Sequence, residues 1–346
     1  MNHTTNNSSK NCCQGDNYQV AHGHVIIQAT FGVIAVTAFL SNGLLCYVIL
    51  RNRRMLSWSY NVFIFSLALT DMITGVFVGV TPGYIISLSS FQVSPGLSGE
   101  VFCRVIGSQY IVYSLGKASA FTVTCMAIER WYSVVRPIHY RVNFSYRRVT
   151  GYLCLLWFLS LSIHSPVLFE MTVSKETQTC IWESAGYSTE ASVTMSTIVT
   201  FFIPIAITWA SYLHIAIKLK RPPLPAIGAV SARVRVKLAR MCMLVAFLLT
   251  TCWFPNQVYY VLSSYGLVKL ETPFHRFTIV LVMFNSCVNP SIYCFSNQEY
   301  KRAFLDLWRP CLGKCRRHRN TVNTQETQNS MKSLSTLTVQ PAIRPT

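Results

Sequence analysis

Charged side chains are scarce in this sequence. Asp, Glu, Lys and Arg make up only 12% of its 346 residues, and hydrophobic residues make up 51%. A soluble domain carries about 25% charged residues, so the composition excludes an ordinary soluble fold. Seven stretches are apolar and long enough to span a membrane, which takes about 20 residues each. They lie near 25–51, 59–88, 103–133, 149–169, 191–219, 236–264 and 273–296.

Acidic residues are scarcer than basic ones, with 12 Asp and Glu against 30 Lys and Arg and a net charge of +18. A nucleic-acid-binding patch is one interpretation, but the Lys and Arg residues are spread over alternate loops between the apolar stretches. The positive-inside rule places these loops in the cytosol, which predicts an extracellular N-terminus and a cytoplasmic C-terminus. The basic clusters begin at Arg51, Arg136, Lys218 and Lys301, and the other loops hold Glu170, Glu176, Glu183, Glu190 and Glu271.

The sequence also lacks internal repeats and any arrangement of a nucleophile beside a base, and we expect no cleavable leader. Transporters tend to contain repeats with paired broken helices, and the two halves of this chain show no self-similarity. A membrane transporter or channel is therefore the less favoured interpretation, and we expect no enzymatic activity. Because no apolar run precedes the polar segment 1–24, we expect the first span to act as its own signal anchor.

Two kinds of modification are predicted on the extracellular side. Asn2, Asn6 and Asn7 begin acceptor sequons in the polar N-terminal segment, which predicts N-glycosylation. Cys103, at the outer start of the third span, and Cys180, in the second outer loop, both face an oxidising compartment. This placement predicts a disulfide between them, with two free thiols as the alternative.

Polar residues interrupt the apolar spans in a few places. In the seventh span, Asn285 and Asn289 precede Pro290, and Tyr293 follows it. A proline removes a backbone hydrogen bond and kinks a helix, and in a bilayer the freed carbonyl needs another partner. The second and third spans carry Asp71 and Lys117. Because polar groups at this depth usually face a bundle interior and serve a function, these breaks predict a multi-helix protein with a moving part.

Each of the seven spans carries a short motif. In chain order these are Ser41-Asn42-Gly43, the run from Ser66 to Asp71, Glu129-Arg130-Trp131, Trp157 with Pro166, Pro204 with Tyr212, Cys252-Trp253-Phe254-Pro255, and the run from Asn285 to Tyr293. One such motif is weak, but the set resembles the rhodopsin-like, or class A, G-protein-coupled receptors over about residues 25–310. The resemblance implies an all-α membrane protein of the plasma membrane, a seven-transmembrane helix bundle with a short interfacial eighth helix.

On this interpretation the chain has four parts. They are an extracellular glycosylated segment, 1–24, the bundle, 25–296, an interfacial helix with a palmitoylation segment, 297–315, and a disordered cytoplasmic tail, 316–346. An apolar stripe at helical spacing supports the interfacial helix; its members are Tyr300, Phe304, Leu307 and Trp308. Cys311 and Cys315 are candidates for S-palmitoylation, which would anchor this segment among membrane lipids, with unmodified thiols as the alternative. Hydroxyls in the tail, such as Ser330, are expected to recruit arrestin after phosphorylation.

The resemblance also implies an allosteric sodium ion and no other cofactor. A buried carboxylate at Asp71 needs compensation, and a hard cation with oxygen ligands would supply it. Ser119, Asn285 and Asn289 fall at the positions where the family builds this site around the Asp. The alternative is a protonated or hydrogen-bonded Asp71 with water.

A second set of residues is implied in coupling to a heterotrimeric G protein. Glu129 can hold Arg130 in the resting state, although adjacent residues do not face each other on a helix. In the family, an outward swing of the sixth helix frees this arginine for the G protein. The residues given this switching role are Glu129, Arg130, Tyr212, Pro255, Asn289, Pro290 and Tyr293.

The sequence departs from the family pattern at three places. Cys103 lies 27 residues before Arg130, a longer spacing than usual, so either the third helix contains a bulge or its outer turn is shifted. Arg235 stands where an acid often pairs with the arginine of the third helix, so that salt bridge is expected to be absent. We therefore expect higher basal signalling than in an Arg235→Glu variant. Leu249 replaces a common Phe below Trp253.

Elimination narrows the ligand class. Val112 replaces the Asp that receptors for amines require, and Met283 replaces the Lys that binds retinal. The outer half of the sixth helix offers neutral hydrogen-bonding and aromatic groups, which suit a peptide, and the acidic outer loops would attract a basic one. The sequence therefore predicts a neuropeptide receptor, with an orphan receptor or a small-molecule ligand as alternatives, and a pocket of Trp253, Asn256, Gln257 and Tyr260. Helix packing would claim Tyr259 or Tyr260. Lys117 is expected to snorkel, to pair with an acid or to contact an anionic ligand group.

Overall fold

Seven helices in the computed structural model are long and apolar enough to cross a membrane. They span Val25–Arg51, Ser59–Val80, Leu97–Val135, Tyr146–Phe169, Thr189–Leu219, Val234–Ser264 and Pro273–Ser296. These helices confirm the seven predicted spans. The structure describes residues 8–86, 91–183, 186–220 and 229–307.

The helices of the bundle are numbered in chain order. They are α1 Ser8–Arg51, α2 Ser59–Val80, α3 Leu97–Phe102, α4 Tyr110–Val135, α5 Pro137–Asn143, α6 Tyr146–His164, α7 Thr189–Thr197, α8 Ile203–Leu219, α9 Ala229–Ser264 and α10 Pro273–Ser296. Short 3₁₀ turns cover Met55–Ser57 and Ser165–Phe169, and π turns cover Cys103–Gly107 and Ile198–Phe202.

The second span ends earlier than predicted. The sequence favoured a helix to residue 88, but α2 ends at Val80 and the backbone of Thr81 is extended, with φ −82° and ψ 123°. Thr81 precedes Pro82, and the proline ring disfavours the helical conformation of the residue before it. The apolar residues beyond Pro82 therefore continue the hydrophobic pattern without continuing the helix.

The long spacing between Cys103 and Arg130 is absorbed by a break in the third span. A π turn at Cys103–Gly107 follows α3, and Gln109 then adopts a left-handed conformation with φ 61° before α4 begins at Tyr110. A π turn accommodates an extra residue relative to an α-helix. Of the two predicted explanations, the bulge is correct. Gly107 lies in this turn, where an added Cβ would lie 3.0 Å from the sulfur of Cys180.

Helix α4 is the central element of the bundle and packs against α2, α6, α8 and α9. Its buried residues therefore include polar groups as well as small apolar ones, and Arg130 is among the largest fully buried side chains. The outward faces of peripheral helices carry exposed apolar side chains, as expected where lipid is the solvent. Examples are Val33, Val36 and Leu40 on α1, and Leu155 and Phe158 on α6.

A disulfide and a short hairpin define one end of the bundle, which we call the disulfide end. Strand β1, Met171–Val173, pairs antiparallel with β2, Cys180–Trp182, so that Val173 faces Cys180. The predicted disulfide between Cys103 and Cys180 is confirmed, and it joins β2 to the third span. Glu100 secures the same hairpin by accepting hydrogen bonds from Thr172 Oγ1 at 2.9 Å and from the backbone N–H of Val173 at 3.3 Å.

A further helix, α11, covers residues 298–307. Tyr300 is buried, Phe304 and Leu307 are half-buried, and Lys301 and Arg302 are exposed, which matches the predicted stripe. Trp308, Cys311, Cys315 and the tail lie outside the described residues. The predicted glycosylation sites Asn2, Asn6 and Asn7 also lie outside them.

Candidate functional site

Asp71 lies on α2 in the middle of the bundle, and only 1% of its surface is exposed. Ser286 Oγ donates a hydrogen bond to Oδ1 at 2.9 Å, and Asn289 Nδ2 donates to Oδ2 at 2.7 Å. Both donors come from α10, so the two spans meet at this carboxylate. Asn289 was predicted in this position, and Ser286 was missed. The two are three residues apart, which places them on one helix face, and this spacing is the signal that could have identified Ser286.

The other two predicted partners of Asp71 lie nearby without bonding it. Ser119 and Asn285 line the same cavity as Asp71 and Ser286, but neither forms a hydrogen bond to the carboxylate in the described structure. Asn285 Oδ1 and Asn289 Oδ1 are both buried and have no partner among the described residues. The group thus offers a carboxylate and spare neutral oxygens, the donor set that suits a hard cation.

The proline kink of α10 is compensated by α1. Pro290 has no N–H to donate to the carbonyl of Ser286, four residues earlier. Asn42 Nδ2 donates to this carbonyl at 2.7 Å, and also to the carbonyl of Ala38 at 2.9 Å. The buried Asn42 therefore satisfies the acceptor that the proline leaves free. It also places Ser286, and with it the donor to Asp71, at a fixed distance from α1.

Trp253, on α9, lies two residues before Pro255 and lines the same cavity as Asp71. Its ring lies against Gly116 of α4, where an added Cβ would be 2.1 Å from a ring carbon. Only glycine therefore permits this position of the indole. Tyr113 contacts the same ring edge-on, with centroids 6.5 Å apart. Gly116 carries no sequence signal of this role, because its importance depends on a ring from another span.

The predicted ligand pocket is only partly assembled around this cavity. Trp253 lines it, whereas Asn256, Gln257 and Tyr260 are not among its lining residues. Asn256 is buried and donates to Thr278 Oγ1 at 3.1 Å, so its amide joins α9 to α10. Tyr260 is 40% exposed at the disulfide end of α9.

Tyr259 contributes to helix packing. The sequence had predicted this role for either Tyr259 or Tyr260. Its hydroxyl donates to the carbonyl of Lys269 at 2.6 Å, and it stacks on the ring of His275. Val112 and Met283, the positions used to exclude amines and retinal, both line the cavity. The cavity therefore presents apolar side chains at these two positions.

The opposite end of α4, which we call the Arg130 end, holds a buried ion pair. Glu129 and Arg130 contact each other through both carboxylate oxygens, and at most 2% of either side chain is exposed. Ser59 Oγ of α2 and the Tyr140 hydroxyl of α5 also donate to Glu129 Oε1, at 2.7 and 2.8 Å. The Arg130 guanidinium lies 5.2 Å from the centre of the Tyr60 ring. The carboxylate is thus held from three helices.

The remaining switch residues lie on α8, α9 and α10. Tyr212 of α8 and Tyr293 of α10 are both buried, and the Tyr212 hydroxyl has no partner among the described residues. Pro255 and Pro290 lie inside α9 and α10. Arg235 is half-buried on α9 and forms no ion pair among the described residues.

Lys117 has a partner that the sequence did not suggest. Its Nζ lies 2.6 Å from Nδ1 of His164, at the end of α6. Neither snorkelling nor pairing with an acid describes this contact between two bases, and contact with an anionic ligand group stays a prediction. The two residues lie on different spans, and no sequence pattern links them.

Comparison with known proteins places this geometry in a family. Residues 41–293 match the family described as "7 transmembrane receptor (rhodopsin family)". The chain is 26% identical to the QRFP-like peptide receptor of Branchiostoma floridae, with 85% of this chain and 80% of that protein covered. It is 27% identical to neuropeptide FF receptor 1 of Homo sapiens, covering 79% and 68%. It is 25% identical to galanin receptor 2a of Danio rerio, covering 81% and 77%. The chain belongs to the rhodopsin family of seven-transmembrane receptors.

Proposed function

We propose that this chain is a plasma-membrane receptor that binds an extracellular neuropeptide and activates a heterotrimeric G protein. The observation that carries the proposal is the polar contact between α2 and α10 at Asp71 and Asn289. It lies between the cavity under Trp253 and the buried Arg130 pair. A ligand that repositions α10 or Trp253 would thereby change the packing at the Arg130 end.

The disulfide end faces the extracellular space in this proposal. The basic clusters then lie in the cytosol, in accordance with the positive-inside rule. Exposed acids near the disulfide end favour a basic peptide by electrostatic steering. Glu176 and Glu183 are exposed there, and Glu271 accepts a hydrogen bond from Arg276 at 2.9 Å. Two of the similar proteins, the QRFP-like peptide receptor and neuropeptide FF receptor 1, are named for peptides, which supports a peptide ligand.

A sodium ion is proposed as an allosteric ligand of the Asp71 cavity. Asp71, Ser119, Asn285 and Asn289 would hold it, and the ion would supply the positive charge that the buried carboxylate lacks. The unpartnered buried oxygens of Asn285 and Asn289 support this assignment. Cation binding would favour the packing in which α2 and α10 lie together.

At the Arg130 end, the proposed event is the release of Arg130 from Glu129 when α9 swings about Pro255. Arg130 would then contact the C-terminal helix of the G protein, with Tyr212 and Tyr293 beneath it. Arrestin binding to the phosphorylated tail, palmitoylation of Cys311 and Cys315 and glycosylation of Asn2, Asn6 and Asn7 complete the proposal. Arrestin binding and the two modifications rest on the sequence pattern, because their residues lie outside the described structure.

The deciding experiment expresses the chain in cells that carry G-protein biosensors and applies a library of neuropeptides. A concentration-dependent response in expressing cells alone is the expected result. Substrate uptake without any G-protein response would favour the transporter alternative. A strong basal response with no peptide agonist would favour an orphan receptor, for which the missing acid at Arg235 is the supporting observation.

A further inference from the structure

Two basic side chains meet inside the bundle at Lys117 of α4 and His164 of α6, with 2.6 Å between Nζ and Nδ1. Neither forms an ion pair with an acid among the described residues. A buried base ordinarily requires a compensating anion or acceptor. The function proposed above does not use this pair, so its purpose is a separate question.

Hydrogen-bond chemistry determines what the pair lacks. An ammonium group only donates, so Nδ1 of His164 accepts and the imidazole proton is assigned to Nε2. Nε2 is buried and has no hydrogen-bond partner in the described structure. The cluster therefore has a buried N–H donor without an acceptor and a positive charge without a counterion. The missing group is an acceptor that carries negative charge.

Aromatic rings fix the orientation of the imidazole. Tyr110 stacks on His164 with centroids 5.7 Å apart and planes inclined by 11°. Tyr113 meets it edge-on at 6.3 Å, and the Tyr110 hydroxyl is tied to the carbonyl of Leu161 at 2.8 Å. The direction of the Nε2–H bond is therefore preorganised, and apolar walls strengthen any charge interaction made there.

The pair is also connected to the cavity. Tyr113 contacts both His164 and Trp253, and Gly116, next to Lys117 in the sequence, is a lining residue of the cavity. A group bound at His164 would thus press on the ring that contacts Trp253. Occupation of this position can be transmitted to the cavity through one side chain.

We propose that Lys117 and His164 form a carboxylate-binding subsite between α4 and α6. A carboxylate oxygen accepts the Nε2–H hydrogen of His164, and Lys117 supplies the positive charge from the Nδ1 side of the same ring. His164 is the contact residue, and Lys117 acts through it by polarising the imidazole. A carboxylate fits because it has acceptors only and carries the missing charge.

The test uses purified full-length receptor in nanodiscs of uncharged phosphatidylcholine. Benzoate is compared with benzamide, which has nearly the same shape and no charge, by thermal unfolding. We expect benzoate to raise the unfolding midpoint of the wild type by a few degrees and benzamide to leave it unchanged. Lys117→Gln should abolish the benzoate shift, and Lys117→Arg should retain it.

A second variant and a matched control keep the result interpretable. His164→Phe preserves a ring for stacking against Tyr110 but removes the donor, so it should also abolish the shift. Lys175→Gln removes an exposed lysine of the hairpin and should respond like the wild type. An equal benzoate shift in all variants, or none in the wild type, would overturn the subsite.

Two further probes distinguish the source of the carboxylate. Oleate is compared with oleamide, and a soluble peptide with a free C-terminal carboxylate is compared with its amidated form. A Lys117-dependent shift with oleate assigns the site to a membrane fatty acid, and one with the free-acid peptide assigns it to a peptide ligand. Since the readout is thermal unfolding, failure here leaves the proposed G-protein coupling unaffected.

Discussion

Two buried carboxylates, Asp71 and Glu129, lie in the same bundle in contrasting surroundings. Glu129 is paired with Arg130 and also receives hydroxyl donors from Ser59 and Tyr140. Among the residues that the structure describes, Asp71 receives only neutral donors, from Ser286 and Asn289. A buried charge without an opposite charge is costly. The chain therefore compensates Glu129 by itself, whereas Asp71 is left to take up a proton or a cation.

The contrast extends to the neighbouring oxygens. Around Asp71, the side-chain oxygens of Asn285 and Asn289 are buried without partners in the described structure. At Glu129, the ion pair and two hydroxyls already surround the carboxylate. The Asp71 site is therefore suited to binding and releasing a cation. The Glu129 site is suited to forming and breaking its ion pair with Arg130. This difference suits a receptor, in which a ligand alters the packing of one region and a partner protein binds at the other.

The largest expected effect concerns the positive charge that Arg130 supplies to Glu129, and it tests whether Asp71 depends on a similar charge. Arg130→Gln leaves the Glu129 carboxylate buried without its cation, and we expect the free energy of unfolding to fall by about 3 kcal/mol. Asp71→Asn removes a carboxylate that has no basic partner, so we expect an unchanged or higher unfolding temperature. Scanning fluorimetry of both purified variants measures the difference. Equal destabilisation would mean that Asp71 has a compensating charge in the chain.

The next effect concerns the contact of Asp71 with α10. Asn289→Ala removes the donor at 2.7 Å, and a hydrogen bond to a charged group contributes about 1.5–3 kcal/mol. We expect G-protein activation to fall about tenfold or more, with ligand affinity nearly unchanged. Tyr293→Ala should act in the same direction. Cys294→Ala, on the same helix, serves as control. Lost binding with intact signalling would make the kink purely structural.

A smaller effect is expected from the hydroxyls that hold Glu129. Tyr140→Phe deletes the 2.8 Å donor from α5 but keeps the ring. With one donor fewer, Glu129 and Arg130 should separate more readily, and basal G-protein activation should rise severalfold. Tyr152→Phe is the matched control, because its hydroxyl binds only the carbonyl of Asn143 at 3.2 Å. Equal basal activity in both variants would show that the ion pair alone determines the closed state.

The sequence predicted the spans well because an apolar run of about 20 residues is a strong signal. It also predicted that the long distance from Cys103 to Arg130 is absorbed either by a bulge or by a shifted outer turn, and the structure shows the bulge. It misplaced the end of α2, because apolar residues continue past the Thr81–Pro82 break. Backbone geometry at a proline overrides hydrophobicity there.

Side-chain partners across helices were harder to predict. Asn289 was expected at Asp71, but which residue joins it depends on the turn of α10 before Pro290, and the structure selects Ser286 over Asn285. The contact of Lys117 with His164 was missed entirely. Such pairs depend on helix rotation and tilt, which packing determines and the linear pattern does not record.

The smallest expected effect concerns the state in which Arg130 is paired with Glu129. Arg235, half-buried on α9, pairs with no acid among the described residues that could hold α9 against α4. Arg235→Glu would supply one, and we expect basal signalling to fall about two- to fivefold, since partly exposed ion pairs contribute about 0.2–1 kcal/mol. Lys237→Glu, an exposed neighbour with the same charge change, should have no such effect. If basal signalling were equal or higher in Arg235→Glu, Glu129 and its hydroxyl partners would be sufficient to hold Arg130 in its ion pair without any contribution from α9.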